Sequence, residues 1–373
     1  MKKRLIVAAV AGIFAAPLAA QAGVEIYGQA RMSVDYNDNG DTAAANDKNA
    51  LAVSSNRSRI GFKGDEDLGN GLKAVWQIEQ QWDYDTGLTT GGSLGAGPRD
   101  TYLGLKGNFG TAVFGRHQTP YRIFSQRLDG FADTRADYNA IIGAVGSSIV
   151  FNNRFNNGFY YTTPEMGGFQ VSAAYAVGTA VSSASDDLPR TKTQGEQDAV
   201  SLSGTYAQGP LFLGAGYEAL NSRTDPASTT GAACGAGTIG CKNASAVKAG
   251  GSWDFGQGTT LGALWEKADL GGAGKAADRD AWYLTGQHKI GYVTLKAAYT
   301  QAGDVGGVAN TGARHYALGA SYGLSKATEA YALYTQVSND PDGKYGLELV
   351  KNAVAGKDVS SFSIGINHKF SSR

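Results

Sequence analysis

The stretch VEIYGQARMSVDY, residues 24–36, alternates strictly between two kinds of side chain. One face carries Val24, Ile26, Gly28, Ala30, Met32 and Val34, and the other carries Glu25, Tyr27, Gln29, Arg31, Ser33 and Asp35. A period of two residues predicts a β-strand with one apolar face. A helix would mix Glu25 and Gln29 with Met32 on one face and would have no apolar stripe. The predicted strand is long enough to cross a bilayer at a tilt.

The same alternation recurs along the chain, at residues 72–78, 169–175, 293–299, 316–322 and 362–370. Several of these apolar faces begin and end on an aromatic residue, namely Phe169 and Tyr175, Tyr316 and Tyr322, and Phe362 and Phe370. Aromatic residues at both ends of a strand match the two interfacial girdles of a membrane barrel, and a polar opposite face matches its lumen. A soluble β-sandwich shares the alternation, so the girdles favour the barrel without settling the choice.

The connections between the predicted strands alternate between short and long. Seven short turns contain Gly, Asn, Asp or Pro, and eight long segments cover approximately residues 37–56, 83–98, 116–152, 178–197, 219–244, 268–280, 302–314 and 338–357. This arrangement connects about sixteen strands and is typical of outer-membrane barrels, which have short periplasmic turns and long external loops.

Composition excludes several other classes of protein. Charged residues make up 18% of the chain, and Lys+Arg (33) equals Asp+Glu (33), so the basic excess of a nucleic-acid-binding protein is absent. The 53 glycines follow no collagen-like period. Four histidines and two cysteines leave little material for a metal site, and the sequence predicts neither metal nor cofactor.

The first residues have the features of a secretory leader. Lys2, Lys3 and Arg4 precede an apolar run at residues 5–18, and Ala20-Gln21-Ala22 resembles a cleavage site. We therefore predict a signal peptide at residues 1–22 and a single β-barrel domain at residues 23–373. A transmembrane anchor is the alternative, but the apolar run is shorter than the roughly 20 residues that a spanning helix needs. After Gly23 no apolar run of 18 residues remains, so a mature membrane protein would have to span as a closed barrel.

Four motifs resemble the general porins of Gram-negative bacteria, in their beta-proteobacterial branch. In chain order they are VEIYG (24–28), SRIGFKGDEDLGNGL (58–72), YLGLKGNFGTAVFGR (102–116) and GINHKF (365–370). The resemblance covers nearly the whole chain in order. One difference is that Ser371, Ser372 and Arg373 follow Phe370, whereas members of the family usually end on this aromatic residue.

The resemblance implies an all-β fold, a transmembrane antiparallel barrel whose third external loop folds inward. It also implies a homotrimer in the Gram-negative outer membrane, in contact with outer-membrane lipids and lipopolysaccharide and inserted by the barrel-assembly machinery. Such a porin is not an enzyme. It passes small hydrophilic solutes by passive diffusion, and it filters them by size and charge at a constriction.

Strand parity selects candidate lumen residues on the wall. Ile60 and Phe62 look lipid-facing, so the cations around them should point inward, as should Arg31 on the polar face of the first strand. Arg116 lies where a strand enters the third long connection. The predicted basic wall is Arg31, Arg57, Arg59, Lys63 and Arg116. Each arginine has an alternative interpretation as a structural or loop-anchoring salt bridge.

Three aspartates in the third long connection, Asp129, Asp133 and Asp137, recur at every fourth residue. If this connection crosses the lumen, they could face the basic wall and set up a transverse field. They could equally cap a helical turn or lie on a solvated face. The sign of ion selectivity stays open, because the wall favours anions and the loop favours cations.

Cys234 and Cys241 lie close together in a Gly-rich long connection of an exported chain, which predicts a disulfide.

The leading functional hypothesis is a general diffusion porin. The alternatives are a substrate-selective channel for anions, oxyanions or sugars, a barrel enzyme, and an adhesive surface protein without a pore. The barrel enzyme has the least support of these hypotheses.

Overall fold

One antiparallel sheet closes on itself into a barrel. The computed structural model describes residues 23–40, 50–87, 98–146, 148–177, 197–222, 244–269, 278–348 and 353–372. In this part of the chain the strands are β1 (Gly23–Asp38), β2 (Ala50–Ser55), β3 (Arg59–Gly69), β4 (Leu72–Gln81), β5 (Pro98–Gly107), β6 (Gly110–Gln118), β7 (Ala144–Val145), β8 (Ser148–Ile149), β9 (Arg154–Thr162), β10 (Phe169–Val177), β11 (Gln197–Gln208), β12 (Leu211–Ser222), β13 (Ala244–Asp254), β14 (Thr259–Asp269), β15 (Asp278–Ile290), β16 (Val293–Ala302), β17 (Ala313–Gly323), β18 (Thr328–Asn339) and β19 (Val359–Ser371). A short helix, α1 (Pro120–Gln126), and a 3-10 helix (Tyr138–Ala140) lie between β6 and β9.

Each barrel strand pairs with its neighbour in the chain, and β1 pairs with β19 to close the ring. Both β2 and β3 pair with β1, and they are separated only by residues 56–58, where Arg57 has φ 52°. They therefore act as one interrupted strand, so the 17 strands of the main sheet form a closed 16-strand barrel, as predicted. The small β7–β8 pair is separate from this sheet.

The prediction of a long connection over residues 37–56 was wrong in its second half, because residues 50–55 form β2. Leu51 and Val53 are the only outward-facing apolar pair there, too short a repeat to stand out beside a polar connection. At the other edge of the seam, β19 continues past Phe370, and the backbone N–H of Ser372 donates to the carbonyl oxygen of Ile26 (2.8 Å).

The two faces of the wall differ as strand parity predicted. Outward-facing positions carry exposed apolar side chains such as Val34, Leu103, Leu318 and Ile364. The neighbouring inward positions are buried although many are polar, which means that something covers them from inside the barrel. In the described residues no helix has both the length and the apolar character needed to cross a membrane.

Candidate functional site

We call residues 119–153, between β6 and β9, the crossing loop, and its described residues, 119–146 and 148–153, lie inside the barrel. It begins at Thr119, whose hydroxyl accepts from the backbone N–H of Arg122 (3.3 Å) and caps α1, with Pro120 in the first helical turn. Phe124 on α1 packs against β12 where two residues lack side chains. A Cβ on Gly214 or Gly216 would stand 2.5 or 2.6 Å from the Phe124 ring, so these glycines allow the close approach.

One buried carboxylate on β14 holds both ends of the crossing loop. Glu266 accepts from the hydroxyl of Tyr121 (2.8 Å) and from the backbone N–H of Gly143 (2.9 Å), and it is ion-paired with Arg279 of β15. Arg279 also donates to the carbonyl oxygen of Ile141 (2.7 Å). The side chains of Glu266 and Arg279 are 0% exposed. A fully buried pair with these extra hydrogen bonds fixes the loop rather than lining a passage.

The middle of the crossing loop reaches the opposite side of the barrel, at β1 and β3. The guanidinium of Arg31 donates to the carbonyl oxygens of Ala132 and Asp133, the latter at 3.0 Å. Arg59 forms an ion pair with the carboxylate of Asp133 (2.8 Å). The side chains of Arg59 and Asp133 keep 22% and 19% of their surface exposed, so this pair, unlike the one at Glu266, reaches the lumen.

We call the contact of Arg31 and Arg59 with Asp133 the meeting point. Further charged groups surround it. Arg57, at the break between β2 and β3, pairs with Glu348 of the last long connection. Arg99 of β5 donates to the carboxylate of Glu79 (2.5 Å), which also lies 3.9 Å from Arg59. The cluster is therefore richer in arginines than in carboxylates that face the lumen, since Glu79 and Glu348 are almost completely buried.

The three predicted loop aspartates have three different environments. Asp133 faces the basic wall, as described above. Asp137 turns back into the loop, where it accepts from the backbone N–H groups of Asn139 and Asp133 (both 2.9 Å) and caps the 3-10 helix. Asp129 is half-buried and accepts from the backbone N–H of Phe131 (2.9 Å). Only one of the three thus meets the wall, and the capping role of Asp137 matches the alternative interpretation of the spacing.

Asp133 and Asp129 also differ in protonation. Burial alone would raise the pKa of Asp133, but Arg59, followed by Arg99 and Arg31, holds that pKa well below its ordinary value. Burial raises the pKa of Asp129 well above its ordinary value, and the nearby charge of Asp137 raises it further. Asp133 is therefore a full negative charge neutralised by arginines, whereas Asp129 favours its neutral form.

The structure brings Arg31, Arg57, Arg59 and Asp133 together and places the remaining predicted residues elsewhere. Lys63 pairs with Glu25 (3.4 Å) nearer the short-turn end of the barrel. Arg116 shares the outward parity of the exposed Phe114 and donates to the carbonyl oxygen of Pro98 (3.0 Å). Cys234 and Cys241 lie outside the described residues, so their disulfide stays a prediction.

Sequence reasoning missed the charged groups that anchor the crossing loop. Arg135 of the loop pairs with the fully buried Asp35 of β1 (3.2 Å) and donates to Ser54 of β2 (2.6 Å). The inward parity of Asp35 was visible in the sequence. Its partner was not, because a residue about 100 positions away supplies it through a loop without a periodic pattern.

Chemically, this arrangement positions charge and does not assemble a reactive centre. In the part of the chain that the structure describes, no group of three or more His, Cys, Asp or Glu side chains could hold a metal ion. The partly exposed groups at the meeting point are permanently charged and already hydrogen-bonded. They can attract, repel and guide ions near the crossing loop.

Comparison with known proteins adds the following. A profile of the Gram-negative porin family matches residues 7–342. Major outer membrane protein P.IB of Neisseria sicca is 33% identical over 178 residues, and the match covers 47%, about half, of each protein. Outer membrane porin protein 32 of Delftia acidovorans is 28% identical over 394 residues, covering 99% of this chain and 100% of the relative.

Two solved structures have a similar fold. The anion-selective porin from Comamonas acidovorans superposes with a TM-score of 0.73 at 24% identity, covering 94% of this chain and 100% of that one. The trimer form of OmpT from Vibrio cholerae superposes with a TM-score of 0.64 at 18% identity, covering 94% and 99%. At these identities the likeness establishes the barrel fold.

Proposed function

We propose, from the premise that this chain belongs to the Gram-negative porin family, that its barrel is a water-filled channel through the outer membrane. Small hydrophilic solutes and ions diffuse through it passively, without any catalytic step. The observation that carries this proposal is the crossing loop, which spans a closed barrel and leaves Arg31, Arg59 and Asp133 partly exposed. The apolar outward face supports a barrel that lies in lipid.

Export and assembly follow the same proposal. The leader at residues 1–22 is removed, and residues 23–373 form one barrel that the assembly machinery inserts among outer-membrane lipids and lipopolysaccharide. The short turns face the periplasm and the long connections face outward. Three copies associate into a homotrimer. A light-scattering mass of the purified protein in detergent tests the trimer, and a monomeric mass would contradict it.

Charge at the meeting point gives the channel a preference for anions. Asp129 favours its neutral form, Asp137 is used as a cap, and Asp133 is neutralised by Arg59. The guanidinium of Arg31, in contrast, binds mainly neutral carbonyl oxygens, so its charge still acts on passing ions. A low-dielectric wall around a narrow aqueous passage strengthens that field. On this proposal the basic wall, and not the loop aspartates, sets the sign of ion selectivity.

Planar-bilayer recordings test the channel and its sign together. We expect stepwise ohmic conductance and, under a salt gradient, a reversal potential of the sign that anions produce. Asp133→Asn should increase anion preference and Arg59→Gln should decrease it. Lys267→Gln is the control, because Lys267 is on β14 with outward parity and pairs with Asp278 (3.4 Å) away from the loop. A folded barrel that never conducts would refute the proposal.

A substrate-selective channel is the second candidate, because the cluster of Arg31, Arg57, Arg59 and Arg99 could bind an oxyanion bidentately. It predicts saturation of the current by millimolar phosphate. A general channel predicts a current that rises in proportion to salt concentration.

A further inference from the structure

Four lysines, three on the inward faces of β15, β16 and β19 and one in the turn between β17 and β18, have no salt bridge within the described residues. They are Lys289, Lys296, Lys326 and Lys369. On the opposite wall near the same end, Lys73 of β4 pairs with Asp65 (2.8 Å) and Lys63 pairs with Glu25, whereas Lys106 of β5 has no salt bridge within the described residues. Two of the three lysines on one side of the lumen at this end are thus ion-paired, whereas none of the four on the other side is.

Three of the four lysines meet at the short-turn end of the barrel. A cleft of about 460 Å³ lies between the turns that join β15 to β16 and β17 to β18, and Lys289, Lys326 and Lys369 line it. All three are exposed. Asn367 and Ser321, on the same inward face, supply buried polar groups to its wall.

A second cleft connects this end with the crossing loop. It has a volume of about 220 Å³, and its lining includes Lys369, Lys296, Arg31 and loop residues 129–132. Lys369 lines both clefts, so basic side chains form a continuous row from Arg31 to the opening at the short-turn end of the barrel, which we call the short-turn mouth. The acidic group in both linings, Glu329, accepts from Asn367 (3.1 Å), lies 4.0 Å from Arg31 and also attracts Lys296, so the cations that line the two clefts outnumber it.

We propose that Lys289, Lys296, Lys326 and Lys369 form a cationic track that binds small multivalent anions, those with phosphate or several carboxylate groups, between the crossing loop and the short-turn mouth. Lysines suit this task because each is a flexible point charge, and several weak contacts hold an anion without trapping it. The track rests on the proposed diffusion function and adds to it a class of solute and a side of the membrane.

Sided block of single channels by tripolyphosphate tests the track in the full-length protein. The probe is added to each compartment in turn. The test variant is the double substitution Lys289→Gln and Lys369→Gln. The matched control is Lys63→Gln and Lys73→Gln, which removes the same charge from two lumen-facing lysines that are already ion-paired. Lys326→Gln, on an exposed turn, is a third variant with little risk to folding.

We expect wild type to be blocked at lower concentration from one side than from the other. The track variant should raise the half-blocking concentration on that side about tenfold, Lys326→Gln about threefold, and the control less than twofold. Equal shifts in track and control variants would overturn the track and leave only the total lumen charge. Equal block from both sides in wild type would overturn it too. A folded wild type without conductance would instead refute the proposed function itself.

Discussion

The contacts of Glu266 allow a prediction of how much free energy holds the crossing loop in place. Glu266→Gln removes the negative charge that compensates Arg279, both side chains being fully buried, and weakens the hydrogen bonds to Tyr121 and Gly143. Removing one partner of a buried ion pair costs about 3–5 kcal/mol. We take about 4 kcal/mol, which multiplies the open population of the loop about 10³-fold. The barrel ladder should keep its stability, because no strand pairing passes through this carboxylate.

The neighbouring residue supplies the control. Lys267 is also ion-paired, but its side chain and that of Asp278 are 47% and 38% exposed, so Lys267→Gln should cost less than about 1 kcal/mol. Hydrogen–deuterium exchange measured by mass spectrometry reads both variants peptide by peptide. Glu266→Gln should accelerate exchange at residues 141–145 about 10³-fold and leave β14 unchanged. The reasoning is refuted if the two variants exchange alike, or if Glu266→Gln accelerates the barrel strands as much as the loop.

Two other substitutions test the packing and protonation of the loop. Gly214→Ala places a Cβ 2.5 Å from the Phe124 ring and should destabilise the loop by about 1–3 kcal/mol. Gly204→Ala is the control and should be neutral, because a Cβ there has no atom within 4 Å. Thermal unfolding midpoints compare the two variants, and equal midpoints would contradict the packing of Phe124 against Gly214. The raised pKa of Asp129 means that its contribution to stability is complete at acid pH and is lost as pH rises through the folded pKa. Asp129→Asn should therefore stabilise the protein relative to wild type increasingly from pH 4 to pH 9, and a pH-independent difference in unfolding midpoint would contradict this assignment.

Strand parity carried most of the fold prediction. Charged and apolar side chains alternate with a period of two only where a strand has a wet side and an apolar side, so the inward direction of Arg31 and Arg59 could be deduced before any contact was known. The alternation of short and long connections similarly fixed the strand number. The prediction from strand parity failed at β2, where a short apolar repeat borders a polar segment.

The crossing loop could not be predicted to the same depth, for a physical reason. Arg31 binds backbone carbonyl oxygens, and no side chain in the sequence marks a carbonyl as a partner. The spacing of Asp129, Asp133 and Asp137 suggested one acidic face, but Asp133 has φ 58° and the chain turns there, so the three side chains diverge. Glu266 gave no signal, because a buried anchor and an ordinary lumen-facing carboxylate share the same parity.

We expect the crossing loop, at Asp133 and the arginines around it, to set the width of the passage through the barrel. Covalent labelling of Asp133→Cys with a bulky methanethiosulfonate reagent during single-channel recording tests it most directly. Leu318→Cys, at an outward-facing position of β17 that is 61% exposed, is the control, and both are compared with the unsubstituted chain. The account predicts a stepwise fall in conductance only for Asp133→Cys. Full labelling at that position with no change in conductance would contradict it.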